Sequence, residues 1–177
     1  MACIITREQL LGEIINECNI CLHLHSKISP DAQDFRPTPG QRSTLELLRY
    51  LSVCGIGSAQ GAAMGDYAAS AHIWQRNAEM TFEGFPAAMN QQIAELQELI
   101  NGFTDDDFAT RTAKFVTGET LPLGFLLVRS TLRWLTAYRM QLFLYAKASG
   151  SPELNTVNNW VGIDMPAEQP TEAAEAE

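Results

Sequence analysis

Apolar residues recur at helical spacing in four long stretches of the chain. The first opens at Thr6, an N-cap with Gln9 three residues on, and runs to about Ile28. Its apolar face is Leu11, Ile14, Ile15, Cys18, Cys21, Leu22, His25 and Ile28. The second opens at Ser43, with Glu46 completing a capping box, and runs to about Ala59. Leu47, Leu48, Leu51, Cys54 and either Gly55 or Ser58 face inward. The third runs from Phe82 or Pro86 to Asn101, with Met89, Ile93, Leu96 and Ile100 as its stripe and Gly102 as its stop. The fourth and longest, Leu121 to Ser149, closes on Gly150 and Pro152. On it Leu127, Thr131, Trp134, Tyr138, Gln141 and Tyr145 share one stripe, at steps of 4, 3, 4, 3 and 4. Rings, hydroxyls and an amide on one face suit either a core or a pocket wall.

Between these stretches the periodicity stops. The prolines and glycine of DAQDFRPTPGQRS predict a structured loop anchored by Phe35. Gly55, Gly57, Gly61 and Gly65 weaken the end of the second helix by about 1 kcal/mol each relative to alanine, so that end is expected to become a loop or a close packing contact. Asp66 to Glu79 reads as a loop with a short helical turn. Thr104 and Asp105–Asp107 suit the cap of another short turn. Phe108 to Glu119 holds β-branched residues but is too isolated for a sheet, and no hairpin pair is evident elsewhere. The segment ELNTVNNWVGID, with Trp160, Val161 and Ile163, is expected to pack back on the helices. After Pro166 no large apolar residue remains, which predicts a disordered acidic tail. The pattern as a whole predicts an all-α protein: an antiparallel four-helix bundle with one long connection over residues 1–165, then the tail 166–177.

With 177 residues, 46% of them hydrophobic, there is material for one sizeable core. The net charge of −9 opposes contact with a nucleic-acid backbone. The longest apolar run, Leu121 to Val128, is too short for a bilayer, and Arg7, Glu8 and Glu13 interrupt the layout of a signal peptide. A cytoplasmic protein is expected, with Cys3, Cys18, Cys21 and Cys54 as reduced thiols.

Two stretches carry a resemblance. FRPTPGQRSTLELLRYLS resembles the Arg/Trp-x-Pro-x-Pro-Gly loop and Ser-capped second helix of the DinB-like (YfiT-like) bundle family. RWLTAYRMQLFLYAKASG resembles that family's last helix, where His-x-x-x-His-Arg-x-Gln leads to a glycine. With the flanking helices the likeness spans roughly Thr6 to Asp164. It implies a four-helix bundle and, in typical members, a divalent metal on three histidines. One lies on the second helix and two lie four apart on the last. Some relatives are thiol-dependent transferases, isomerases or hydrolases. Here the three positions fall on Tyr50, Trp134 and Tyr138. Indole has no accessible lone pair, and a phenol ligates only when ionised or on a hard ferric centre. The inherited metal site is therefore expected to be lost, with no cofactor in its place. The three rings either fill that space or, with Gln141, line a pocket for a small apolar or aromatic ligand.

Other constellations carry weaker signals. Cys18, Cys21 and His25 share a helix face, with Cys54 opposite, and suit either zinc or plain core packing. His23 points the other way and is expected in solvent. His72, near Trp74 and Asp66, is a lone histidine in an irregular segment. Asp105–Asp107 lack the further ligands of a calcium loop, and Ser43, Ser58 and Ser130 lack a nucleophile elbow. Arg129, Arg133 and Arg139 suit pairing with Glu46 or Asp164, or an anion. Two functions fit these residues. One is a non-catalytic bundle, a homodimer, that binds a small molecule or a protein partner. The other is a thiol- or metal-dependent transferase or hydrolase relocated to Cys18/Cys21/His25 or His72.

Overall fold

Helix α1 (Arg7–His25) starts where the sequence says it should, with Thr6 and Gln9 in a reciprocal capping box. The computed structural model describes residues 5–165, so the expected tail at 166–177 and Cys3 lie outside the described residues. The α1 helix ends before Ile28, and a single 3-10 turn (Pro30–Ala32) leads into the proline loop. Helix α2 (Thr44–Met64) opens on the Ser43–Glu46 box. After short α3 (Ala71–Gln75) come α4 (Phe85–Asn101) and α5 (Asp105–Thr110), the latter capped by Thr104 and Asp107. Strands β1 (Thr112–Lys114) and β2 (Thr120–Pro122) come next. Then α6 (Leu123–Leu127), a π turn (Val128–Leu132) and α7 (Arg133–Ala148) run on as one helix. Short α8 (Thr156–Trp160) closes the described chain.

The four long helices make the bundle. Both α1 and α2 pack against α4 and α7, so α1 and α2 occupy one diagonal and α4 and α7 the other. Leu10, Ile14, Leu24, Leu47, Leu51, Leu96 and Leu142 are sealed at its centre. Each such side chain contributes roughly 1.5–3 kcal/mol of burial. Among the described residues no helix is long and apolar enough to cross a membrane.

Three expectations need correction. The second helix does not stop near Ala59: its glycine-rich end is the close packing contact, not the loop, and the helix runs on to Met64 and stops on Gly65 at φ 67°. A Cβ on Gly57 would stand 2.8 Å from the Trp74 ring, and one on Gly61 would stand 2.6 Å from Tyr67. The glycines let two rings lie on the helix backbone, and that packing outweighs their poor propensity. Second, the Phe108–Glu119 segment does take part in a small sheet: β1 and β2 form an antiparallel hairpin pairing Ala113 with Leu121. Its turn uses Gly118 at φ 89°. Phe115 meets Tyr67 and the guanidinium of Arg129, and Arg111 donates to the Ala63 carbonyl, so α2 and the last helix hold the hairpin in place. Third, the last helix begins at Leu123 because Leu121 and Pro122 belong to β2.

Candidate functional site

The site is built where α2, α3 and α7 meet the proline loop. That loop is tied down first. Arg36 forks onto both oxygens of Glu46 at 2.7 and 2.8 Å and donates to the Gln41 carbonyl at 2.7 Å. The Arg36 guanidinium, then the Ser43 amide, holds the Glu46 carboxyl down at about 2. Phe35 stands edge-on to Tyr145, and the Tyr145 hydroxyl donates to the Arg42 carbonyl at 3.0 Å. The Arg42 guanidinium is thereby set over two rings, 4.3 Å from the centre of Tyr50 and 5.6 Å from that of Tyr138.

Tyr50 and Tyr138 meet edge to face, 4.6 Å between centroids. Trp134 joins them through Trp74, which lies 5.7 Å from Tyr50 and 6.2 Å from Trp134. All four rings are half-buried. Burial, with Cys54 and Tyr138 beside it, pushes the Tyr50 phenol well above its ordinary value, so it is neutral at physiological pH. Gln141 stands one turn further on and donates to the Tyr145 hydroxyl at 2.7 Å. The structure thus brings Tyr50 and Tyr138 into contact and links Trp134 to them through Trp74, and sequence reasoning misses both Trp74 and Arg42. The signal for Trp74 is the glycine pair four apart on α2, which needs rings opposite to fill it.

The other candidates disperse. Cys18, Cys21 and Cys54 are sealed in the core. Burial pushes the Cys18 thiol up to about 12 and raises Cys21 and Cys54 as well. His25 turns to the Phe82 carbonyl, its Nε2–H donating at 3.0 Å, and packs on the rings of Phe82 and Phe85. Among the described residues no group of three or more His, Cys, Asp or Glu side chains is placed to hold a metal ion. His23 is not in solvent: Asn158 Nδ2 donates to its Nε2 at 3.1 Å, and Asp164 lies 3.7 Å away. His72 is exposed on α3, at the edge of a separate cavity. Ser58 bonds the Gly55 carbonyl and Thr131, Ser130 bonds the Leu126 carbonyl, and Ser43 caps α2, so all three serines serve the helices.

The arginines pair differently from expectation. Arg139 is buried and takes Glu17 as its counter-ion at 2.5 Å, with the Asn159 carbonyl and amide oxygens on its other side. Arg129 pairs with Glu119 at 2.8 Å. Asp164 goes to Lys27 instead. These partners sit on elements that the bundle, not the local sequence, brings alongside. The segment carrying α8 does pack back, through Leu154, Asn158 and Asn159, but Trp160, Val161 and Ile163 remain exposed.

This architecture has a counterpart. A crystal structure of a DinB-like protein from Bacillus subtilis superposes with a TM-score of 0.63, covering 80% of this chain and 92% of that one. The fold is DinB-like. Sequence identity between the two is 18%, so the likeness carries the fold and nothing further. No protein-family model matches the sequence, and no curated protein sequence matches it. Tyr50 lies on α2, and Trp134 and Tyr138 lie on α7. Tyr50 and Tyr138 stand in contact under Arg42, and Trp134 reaches them only through Trp74.

Proposed function

We propose that this DinB-like bundle works without the family's three-histidine metal centre, as a cytoplasmic, non-catalytic homodimer that binds a small apolar or aromatic molecule or a protein partner. The observation that carries this reading is the contact of Tyr50 with Tyr138 at 4.6 Å, with a guanidinium above both. A neutral phenol is a poor ligand for a divalent transition metal, and an arginine cation above the rings repels one. The relocated thiol chemistry is disfavoured by the same physics: a nucleophilic cysteine is a thiolate, and Cys18, Cys21 and Cys54 are raised and sealed. Self-association is supported by outward side chains on neighbouring α7 and α8. Met140, Leu144, Trp160 and Val161 are 40–58% exposed.

Metal analysis of protein purified without a histidine tag tests the metal part of the reading. Zinc and nickel are expected well below one per chain. Stoichiometric metal that disappears on Cys21→Ser or His25→Gln would overturn it in favour of the relocated site. Sedimentation with Leu144→Glu tests the homodimer: a dimer that becomes a monomer is expected, and a wild-type monomer refutes that part alone.

A further inference from the structure

A cavity of about 570 Å³ opens between α2, α3 and the C-terminal half of α4, and none of the four residues Tyr50, Trp134, Tyr138 and Gln141 lines it. Ile56, Ile73, Leu99 and Phe103 give it an apolar side, and Gln60, Arg76 and Glu95 a polar one. Its volume lies in the range of small-molecule sites.

The polar side is incompletely bonded. Arg76 Nη1 donates to Glu95 Oε1 at 2.8 Å, and Gln91 Nε2 donates to the same oxygen at 3.0 Å. The second oxygen, Glu95 Oε2, is buried with no partner. So are Nε and Nη2 on the other edge of the Arg76 guanidinium, and Oε1 of Gln60. Of the five buried side-chain polar atoms without a hydrogen-bond partner among the described residues, these four belong to three residues of this one wall. Folded proteins leave few such atoms, and each is a standing penalty, so a cluster at a cavity marks bonding capacity directed at something else. The side chains of Arg76 and Glu95 are 23% and 30% exposed. The pair therefore borders the cavity, and a rotamer adjustment of the kind common on binding brings the unbonded atoms to a ligand.

Charge narrows the ligand. The cation of Arg76 is already matched by Glu95, and Glu98 adds a second carboxylate to the lining. A ligand carboxylate would meet Glu95 and Glu98, and a ligand ammonium, though drawn by Glu98, has no acceptor for the unbonded Arg76 Nε and Nη2. An uncharged group that both accepts and donates meets neither penalty. We propose that this cavity binds a small uncharged molecule with an apolar or aromatic body and a carboxamide-type head, an amide, urea or lactam. Its carbonyl accepts from Arg76, its N–H donates to Glu95, a second N–H where the head has one donates to Gln60, and its body lies on Ile73, Leu99 and Phe103. The proposal concerns another face from the ring cluster and holds whatever metal analysis finds there.

The full ¹⁵N-labelled chain titrated with phenylacetamide, and in parallel with phenylacetate, tests it by amide shifts. Saturable shifts confined to residues around Ile56, Gln60, Ile73, Arg76 and Leu99 are expected, with a Kd of about 10 mM or tighter for a fragment of this size. Phenylacetate is expected to bind about tenfold more weakly, the scale of one charge-assisted hydrogen bond lost. Arg76→Met should weaken phenylacetamide by a similar factor. Gln60→Leu, which keeps the ion pair and guards against a variant that does not fold, should weaken it about threefold. Shifts that centre on Tyr50 and Tyr138, equal binding of the acid and the amide, or no saturable shift in the folded protein would each overturn the proposal.

Discussion

Gly57→Ala is the sharpest probe of how the ring cluster is seated. In an isolated helix the change stabilises by about 1 kcal/mol, because alanine orders at lower entropic cost. In α2 the new Cβ stands 2.8 Å from Trp74 Cε2 and 3.0 Å from Cζ2, closer than carbon atoms approach. Trp74 cannot simply swing away, since its Nε1–H is bonded to Ser70 at 3.3 Å and its ring lies between Tyr50 and Trp134. Displacing a packed ring costs about 1–3 kcal/mol. The net effect expected is a destabilisation of about 0–2 kcal/mol, the difference of those two terms. Gly12→Ala is the control: the same substitution on the exposed face of α1, with nothing within 4 Å of the new Cβ. It should stabilise by the full propensity gain, so the two variants should differ by about 1–3 kcal/mol. Urea denaturation monitored by circular dichroism measures both, and tryptophan emission reports the movement of Trp74. If Gly57→Ala stabilises as much as Gly12→Ala and leaves the emission unchanged, Trp74 does not rest on the α2 backbone.

The core and the loop yield three further tests. Glu17→Gln leaves the buried Arg139 guanidinium without its counter-ion and should cost about 3 kcal/mol in urea denaturation, while the double variant Glu17→Leu/Arg139→Met recovers much of it; a loss below about 1 kcal/mol for the single change would show the pair to be solvated. Gln92 is fully buried, accepts from the Gly55 and Ile56 amides and donates to the Leu51 carbonyl, so Gln92→Leu should cost about 1–3 kcal/mol and speed amide exchange at residues 55 and 56; unchanged exchange there argues against the bridge. Acid should lower the melting temperature in two stages. Burial lowers the pKa of both His23 and His25, so the stability tied to their neutral forms is complete above 6.5 and falls away below it. Glu46, held at about 2, contributes above its ordinary 4.5 and loses that contribution as the pH falls toward 2. A flat melting temperature between pH 7 and 5 contradicts the first stage, and an unaltered lower stage in Glu46→Gln contradicts the second.

The features legible in the sequence and those hidden from it divide along a physical line. Caps are local, so Thr6 with Gln9 and Ser43 with Glu46 fix two helix starts from four residues each. The end of α2 is hidden because glycine propensity is a local quantity, whereas the Trp74 and Tyr67 rings arrive from a segment without periodicity. The partner of Arg139 is hidden because Glu17 lies 122 residues away and only the bundle sets α1 beside α7.

The stripe on the last helix shows the same division within one element. At regular α spacing Leu127, Thr131, Trp134, Tyr138 and Gln141 lie on one face. The structure buries Leu127 and Thr131, but beyond them it buries Leu135, Arg139 and Leu142, each one position later, until Tyr145 and Ala146 are both buried at the helix end. The π turn Val128–Leu132 accounts for the offset. One extra residue accommodated within a helix rotates the later turns by about 100° relative to the earlier ones. The rotation carries Arg139 into the core toward Glu17 and leaves Trp134, Tyr138 and Gln141 half-buried at the edge of the bundle. Had the α spacing continued unbroken, Trp134 and Tyr138 would point between the helices and Arg139 toward solvent. The ring cluster is therefore a rim structure open to Arg42 above it because of one turn of backbone, and no side-chain pattern in the stripe itself announces that turn.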